Sequence, residues 1–149
     1  MKEQILEAVK AYGFSVRTNN TDEVDPAKAK IGQLWQGFFE QAFPKLTPDS
    51  KVYGVYTNYE SDFTGDFDVI ACTNALTDND IDQLVETKIE PGKYLTFSAQ
   101  GEFPQAVIDL WGEVWAYFNA PDCPHTRTYT TDFELYKGET EVEISIAIQ

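Results

Sequence analysis

Apolar and polar residues alternate along this chain with two different periods, and the changes of period mark out its elements. In "AKIGQLWQGFFEQAF" the apolar positions Ile31, Leu34, Trp35, Phe38, Phe39, Ala42 and Phe43 follow the i, i+3, i+4, i+7 stripe of an amphipathic helix. Asp25 and Pro26 stand upstream as an N-cap and a first-turn residue. The stretch "FPQAVIDLWGEVWAYF" repeats the stripe at Phe103, Val107, Leu110, Trp111, Val114, Trp115 and Phe118. Elsewhere the period is two, and "YTNYESDFTGDFDV" and "TYTTDFELYKGETEVEISIAI" read as hairpins that turn near Gly65 and Gly138.

The succession occurs twice. Leu34-Trp35 and Leu110-Trp111 lie 76 positions apart, and the hairpins align at an offset of 73, matching Tyr56 to Tyr129, Thr57 to Thr130, Gly65 to Gly138 and Val69 to Val142. Upstream, "EAVKAYGF" aligns with "ETKIEPGKY" at 79, pairing Glu7 with Glu86 and Gly13 with Gly92. Each half, about 1–76 and 77–149, therefore reads as strand, helix, strand, strand. One helix on three strands covers a single sheet face and leaves an edge unpaired, so the halves gain by pairing around a pseudo-twofold axis. The expectation is one α+β domain over residues 1–149, built of tandem strand-helix-strand-strand modules with helices packed on antiparallel sheets.

Charge narrows the partners. With 11 basic and 25 acidic residues the net charge is −14, which repels phosphate backbones and anionic membranes and favours cationic small molecules or basic proteins. Cys72 and Cys123 lie far apart without a CxxC, so neither a disulfide framework nor zinc is indicated. The first residues lack the apolar region of a signal peptide and no run is long enough to span a membrane, which leads to the expectation of a cytoplasmic protein.

One carboxylate stands out. In "RTYTTDFELY" strand alternation puts Tyr129, Thr131, Phe133 and Leu135 on one face, expected against the helices, and Thr128, Thr130, Asp132, Glu134 and Tyr136 on the other. The 73-residue correspondence adds Tyr53, Val55, Thr57 and Tyr59 to the Glu134 face. A lone strand glutamate is usually a solvated residue, but a carboxylate among tyrosines is also a cage for an organic cation. Trp35, Trp111 and Trp115 lie on helical stripes where core packing is the ordinary role, though a ring at a seam can line a pocket with one face. Asp78, Asp80 and Asp82 begin like a calcium loop, yet Gln83 replaces its glycine and Ile89 its final glutamate, so a solvated helix start is the better reading. Cys123 and His125 find no second pair of metal ligands, and no Ser-His-Asp arrangement or phosphate loop is present. No metal or cofactor is expected.

Taken together, "FSVRTNN", "LWQGFFEQAF", "YGVYTNYESDFTGDFDV", "IEPGKYLTFSAQGEF" with "LWGEVWAYF", and "TYTTDFELY" resemble the GyrI-like small-molecule-binding domains, which are also the effector-binding domains of AraC-type and MerR-type regulators. The resemblance covers nearly the whole chain in order. It implies a tandem fold whose central groove binds amphipathic, often cationic, molecules, with Glu134 as the acidic residue facing the ligand and Trp111 at a position where the family often has tryptophan. Trp35 is the repeat partner of Trp111, and Tyr53, Tyr59 and Tyr136 complete the expected ligand-binding set. The family's regulators add a helix-turn-helix domain for which this length leaves no room, so the expectation is a stand-alone binder, as monomer or homodimer. Two alternatives follow from the same resemblance. Some members hydrolyse strained electrophilic rings, a role for which Glu134 with Tyr53, Tyr59 or Tyr136 would supply base and hydroxyl. Others inhibit DNA gyrase, and an acidic surface suits a protein partner of that kind.

Overall fold

The computed structural model describes residues 1–76, 81 and 83–149, and these form two matching runs of elements. The first run is β1 (Lys2–Leu6), β2 (Val9–Thr18), a one-turn helix α1 (Asn20–Glu23), α2 (Ile31–Gln41), β3 (Val52–Thr57) and β4 (Phe67–Thr73). The second is β5 (Val85–Ile89), β6 (Gly92–Gln100), α3 (Gln105–Asn119), β7 (Arg127–Tyr136) and β8 (Glu141–Ile148). The eight strands of the described residues make one antiparallel sheet in the order β1-β6-β8-β7-β3-β4-β2-β5. The tandem α+β fold read from the sequence is present, as a single sheet and with one more strand at the start of each half.

Outward from the β7/β3 seam the strand order is the same on both sides, and so is the register. Phe14 pairs with Ala71 as Phe97 pairs with Ile144, and Tyr56 pairs with Val69 as Tyr136 pairs with Val142. Val9 faces Ile89 as Gly92 faces Leu6. Gly92 is thus the equivalent of Val9 rather than of Gly13, and Tyr136 the equivalent of Tyr56 where the alignment had placed Tyr129. The loops explain the slip: residues 58–66 join β3 to β4, whereas residues 137–140 join β7 to β8.

The halves also exchange strands. β1 runs into β2 through Glu7 and Ala8 but pairs with β6, while β5 runs into β6 but pairs with β2. Joining one sheet edge to the far side through two residues requires the sheet to curl. Its inner face closes over Tyr53, Val55, Ile70, Ile89, Tyr94 and Phe133. The outer face carries the helices. α2 buries Leu34 and Phe38 on Phe67, Val69 and Ala71 of β4, and α3 buries Leu110 and Val114 on Val142, Ile144 and Ile146 of β8. Burying an aliphatic or phenyl side chain of this size contributes about 1.5–3 kcal/mol.

Two local expectations are corrected. α2 begins at Ile31 rather than at Asp25 and Pro26, because Asp25 closes its own turn by accepting from Ala27 N at 2.9 Å. The free amides at the start of α2 are met by Glu23, which accepts from Lys30 N at 2.9 Å and Ile31 N at 3.2 Å. Asp78, Asp80 and Asp82 lie outside the described residues, and Val85–Ile89 from the same stretch is β5 in place of a helix. Among the described residues no helix is long and apolar enough to cross a membrane.

Candidate ligand-binding groove

α2 lies over β2 and β4, and α3 over β6 and β8, so the seam strands β3 and β7 form the floor between the helices. At the centre of that floor Gly54 is paired directly with Glu134. The two are also equivalents, since Gly54 pairs with Ala71 as Glu134 pairs with Ile144, and the pseudo-twofold axis therefore passes between them. Only one side chain fits there. A Cβ on residue 54 would stand 2.5 Å from Glu134 Oε1 and 3.1 Å from Trp35 Cζ2.

Glu134 is 3% exposed and held by three neutral donors. Its Oε2 accepts from Trp111 Nε1–H at 2.6 Å and from the Tyr56 hydroxyl at 3.0 Å, and its Oε1 accepts from the Tyr136 hydroxyl at 2.7 Å. Among the described residues no Lys, Arg or His pairs with it. Burial raises its pKa above the usual glutamate value, and the bonds from Trp111, Tyr136 and Tyr56 offset part of that rise. Burial and the adjacent carboxylate push the Tyr56 and Tyr136 hydroxyls upward, so both stay protonated and able to donate. The rings reach across the seam: Trp35 of α2 meets Tyr136 of β7 edge-on at 5.2 Å, and Trp111 of α3 meets Tyr56 of β3 in the same way at 5.2 Å.

Two residues earlier, Asp132 is fully buried under different conditions. It accepts from the Tyr59 hydroxyl at 2.6 Å, from Arg127 Nη2 at 2.7 Å and from Ala147 N at 2.9 Å. Arg127 reaches it over an irregular stretch of β7 in which Tyr129 takes a φ of 56°. A cavity of about 410 Å³ opens over this floor, walled by Ile31, Tyr56, Tyr59, Phe67, Trp111 and Trp115, with Arg127 and Glu23 among its polar residues. Its volume is in the range of small-molecule sites. Tyr56 and Trp111 belong to both the cavity wall and the Glu134 cluster, so the carboxylate lies directly behind that wall.

The structure brings Glu134, Trp111 and Tyr136 together and sets Trp35 beside them without a bond to the carboxylate. Tyr59 lines the cavity and holds Asp132. Tyr53 is elsewhere: it is paired with Leu135, points to the inner face and packs on Phe133 at 5.9 Å between ring centres. The expectation that it shares the Glu134 face fails because the true equivalent of Tyr56 is Tyr136, seven residues beyond Tyr129, and a slip by an odd number of residues reverses every side chain. Phe133 and Leu135, expected against the helices, lie on the inner face because the curled sheet buries a core on each of its faces, and the Glu134 face is the one against the helices. Tyr56, Gly54, Asp132 and Arg127 were missed as site residues. A glycine inside an apolar strand is the signal that could have found the centre, since it often marks a close approach. Among the described residues no group of three or more His, Cys, Asp or Glu is placed to hold a metal ion.

Residues 4–148 match the family model of the integron-associated effector binding protein, Cass2. The chain belongs to this family. It is 57% identical to an integron cassette protein from the mobile metagenome of Vibrio cholerae, whose structure superposes with a TM-score of 0.95 over 99% of this chain and 95% of that one. It is 27% identical over 142 residues to YobU of Bacillus subtilis (strain 168), covering 92% of this chain and 86% of the relative. The structure of SAV2435 bound to tetraphenylphosphonium shares the fold at 20% identity, with a TM-score of 0.74 over 99% of this chain and 93% of that one.

Proposed function

We propose that this protein takes up amphipathic aromatic cations in the groove between its halves, with Glu134 as the counter-charge and Trp111 and Tyr56 as the rings that meet the ligand. One observation carries the reading: a buried carboxylate is held by three neutral donors, without a fixed cation among the described residues, directly behind the aromatic wall of a 410 Å³ cavity. Ionised, that group keeps an uncompensated charge in a poorly solvated place, and a cation against the wall would compensate it. The net charge of −14 draws cations towards the same site. The relative solved with tetraphenylphosphonium, a hydrophobic aromatic cation, supports the choice of ligand class. Binding suits the geometry better than hydrolysis does, because both Glu134 oxygens are already engaged and the carboxylate does not border open space where water and substrate would meet.

The test is a thermal-shift and tryptophan-fluorescence titration with tetraphenylphosphonium and, as its uncharged counterpart, triphenylphosphine oxide. The cation should quench fluorescence and stabilise the fold by about 2.7 kcal/mol at a hundred times its Kd. Equal responses to both compounds, or none, would remove the role given to Glu134.

A further inference from the structure

We propose that Arg127 and a second, smaller cavity form a subsite for a neutral oxygen acceptor, a carbonyl or ester, carried by the cationic ligand of the groove; this rests on the binding reading above. The second cavity, about 220 Å³, adjoins the first, and Phe63, Trp115 and Arg127 line both. Phe63 and Trp115 meet edge-on at 5.3 Å, so this ring pair and the guanidinium form the shared boundary. The larger space is walled mainly by rings and aliphatic groups. The smaller one adds Asn119 and Thr126.

Arg127 is under-used as a donor. A guanidinium carries five N–H groups, and its hydrogen bond among the described residues is the one from Nη2 to Asp132 Oδ2. Its side chain is 11% exposed and stacked on Tyr129, with Cζ 4.4 Å from the ring centre. Nε–H is buried and has no acceptor among the described residues. Solvent does not satisfy it, and native structures rarely leave such a donor unmet. Arg127 lines the smaller cavity, and an oxygen acceptor delivered there supplies the partner this donor lacks. The acceptor is neutral because Asp132 already balances the charge of Arg127, and because an additional anion would enter a protein of net charge −14. The ligand class is then an aromatic cation with a carbonyl on a short arm, the cation against Trp111 and Tyr56 and the arm passing the Phe63–Trp115 pair.

Two probes isolate the arm: pentyltriphenylphosphonium, and the triphenylphosphonium that carries a methyl ester at the end of a propyl chain. Titrated calorimetrically into the wild-type protein, the ester should bind about two- to tenfold more tightly than the alkyl cation, the range for one net hydrogen bond. In Arg127→Lys, which keeps a positive charge but has no Nε–H, the ratio between the two probes should fall to about one. Nitrogen-15 NMR of the wild type gives a reading that needs no variant to fold: the Arg127 Nε–H resonance should move with the ester and stay in place with the alkyl cation. Equal wild-type affinities, a preference that survives in Arg127→Lys, or an Nε–H resonance indifferent to the ester would each overturn the subsite while leaving the groove as a cation site. Failure of both probes to bind would overturn the groove reading and the subsite with it.

Discussion

The two halves place the same tools around the axis and differ at its centre. Trp35 and Trp111 are equivalents, as are Tyr56 and Tyr136, and each tryptophan meets the tyrosine of the opposite half. Gly54, however, is the counterpart of Glu134, and Val52 the counterpart of Asp132. In the first half the floor is small and apolar; in the second it carries two buried carboxylates. A symmetric pair of glutamates would bring two carboxylates together on the axis, where like charges in a poorly solvated site repel strongly. Dropping one to glycine leaves a single acceptor that both halves serve, Tyr56 from the first and Trp111 and Tyr136 from the second. Symmetry supplies the ring of donors, and its local failure supplies the charge.

The largest expected effect comes from the Val52/Asp132 contrast. Asp132→Ala should destabilise the protein by about 3–5 kcal/mol in urea denaturation, because it leaves Arg127 buried without its partner. Replacing both members, Arg127→Met with Asp132→Val, should recover much of that loss, which would show that the second half tolerates the apolar floor of the first. At the axis, Glu134→Gln should weaken tetraphenylphosphonium binding by about 1–3 kcal/mol in calorimetry, the loss of a charge–charge attraction across the cavity wall. It should also remove a pH trend. The folded-state pKa of Glu134 is raised, so the native protein holds that proton more tightly than the unfolded chain does. Wild-type stability should therefore fall, relative to Glu134→Gln, as pH rises from the ordinary glutamate value through the raised one, and cation binding should grow over the same interval.

Smaller effects follow from the equivalents. Gly54→Ala adds a methyl group against Glu134 Oε1 and Trp35, and should cost about 1–3 kcal/mol by chemical denaturation, with weaker cation binding as the carboxylate is displaced. Trp35→Phe should lose about 0.5–1.5 kcal/mol through its contact with Tyr136 and leave cation affinity nearly intact, since Trp35 gives no hydrogen bond to the carboxylate. A large loss of affinity in Trp35→Phe would mean that the groove uses its two sides alike.

What was legible in the sequence followed from strong local patterns. The stripes through Leu34, Trp35 and Phe38 and through Leu110, Trp111 and Val114 yielded both long helices, because their buried positions recur at helical spacing. β1 and β5 escaped notice because "KEQIL" and "VETKI" are edge strands of five residues, too short for their alternation to stand out. At the site, Glu134 and Trp111 could be singled out by the family resemblance. Tyr56 could not, because matching the hairpins at their glycines put the difference between the two loops into the register and so exchanged Tyr53 for Tyr56. Arg127 lies beyond local pattern altogether. Its contact with Asp132 depends on the irregular stretch around Tyr129, which no period of two describes.

The exchange of β1 and β5 between the halves reaches past the groove. Severed between β4 and β5, each fragment would hold one strand whose hydrogen-bonding berth is on the other fragment, and neither could finish its own sheet. Mixed together, the fragments should reassemble as an interlocked heterodimer, and one fragment alone should seek a second copy of itself. The single chain is in this sense a domain-swapped pair with its two members tied end to end. The tie fixes their stoichiometry, and with it the freedom to place a glutamate on one side of the axis and a glycine on the other.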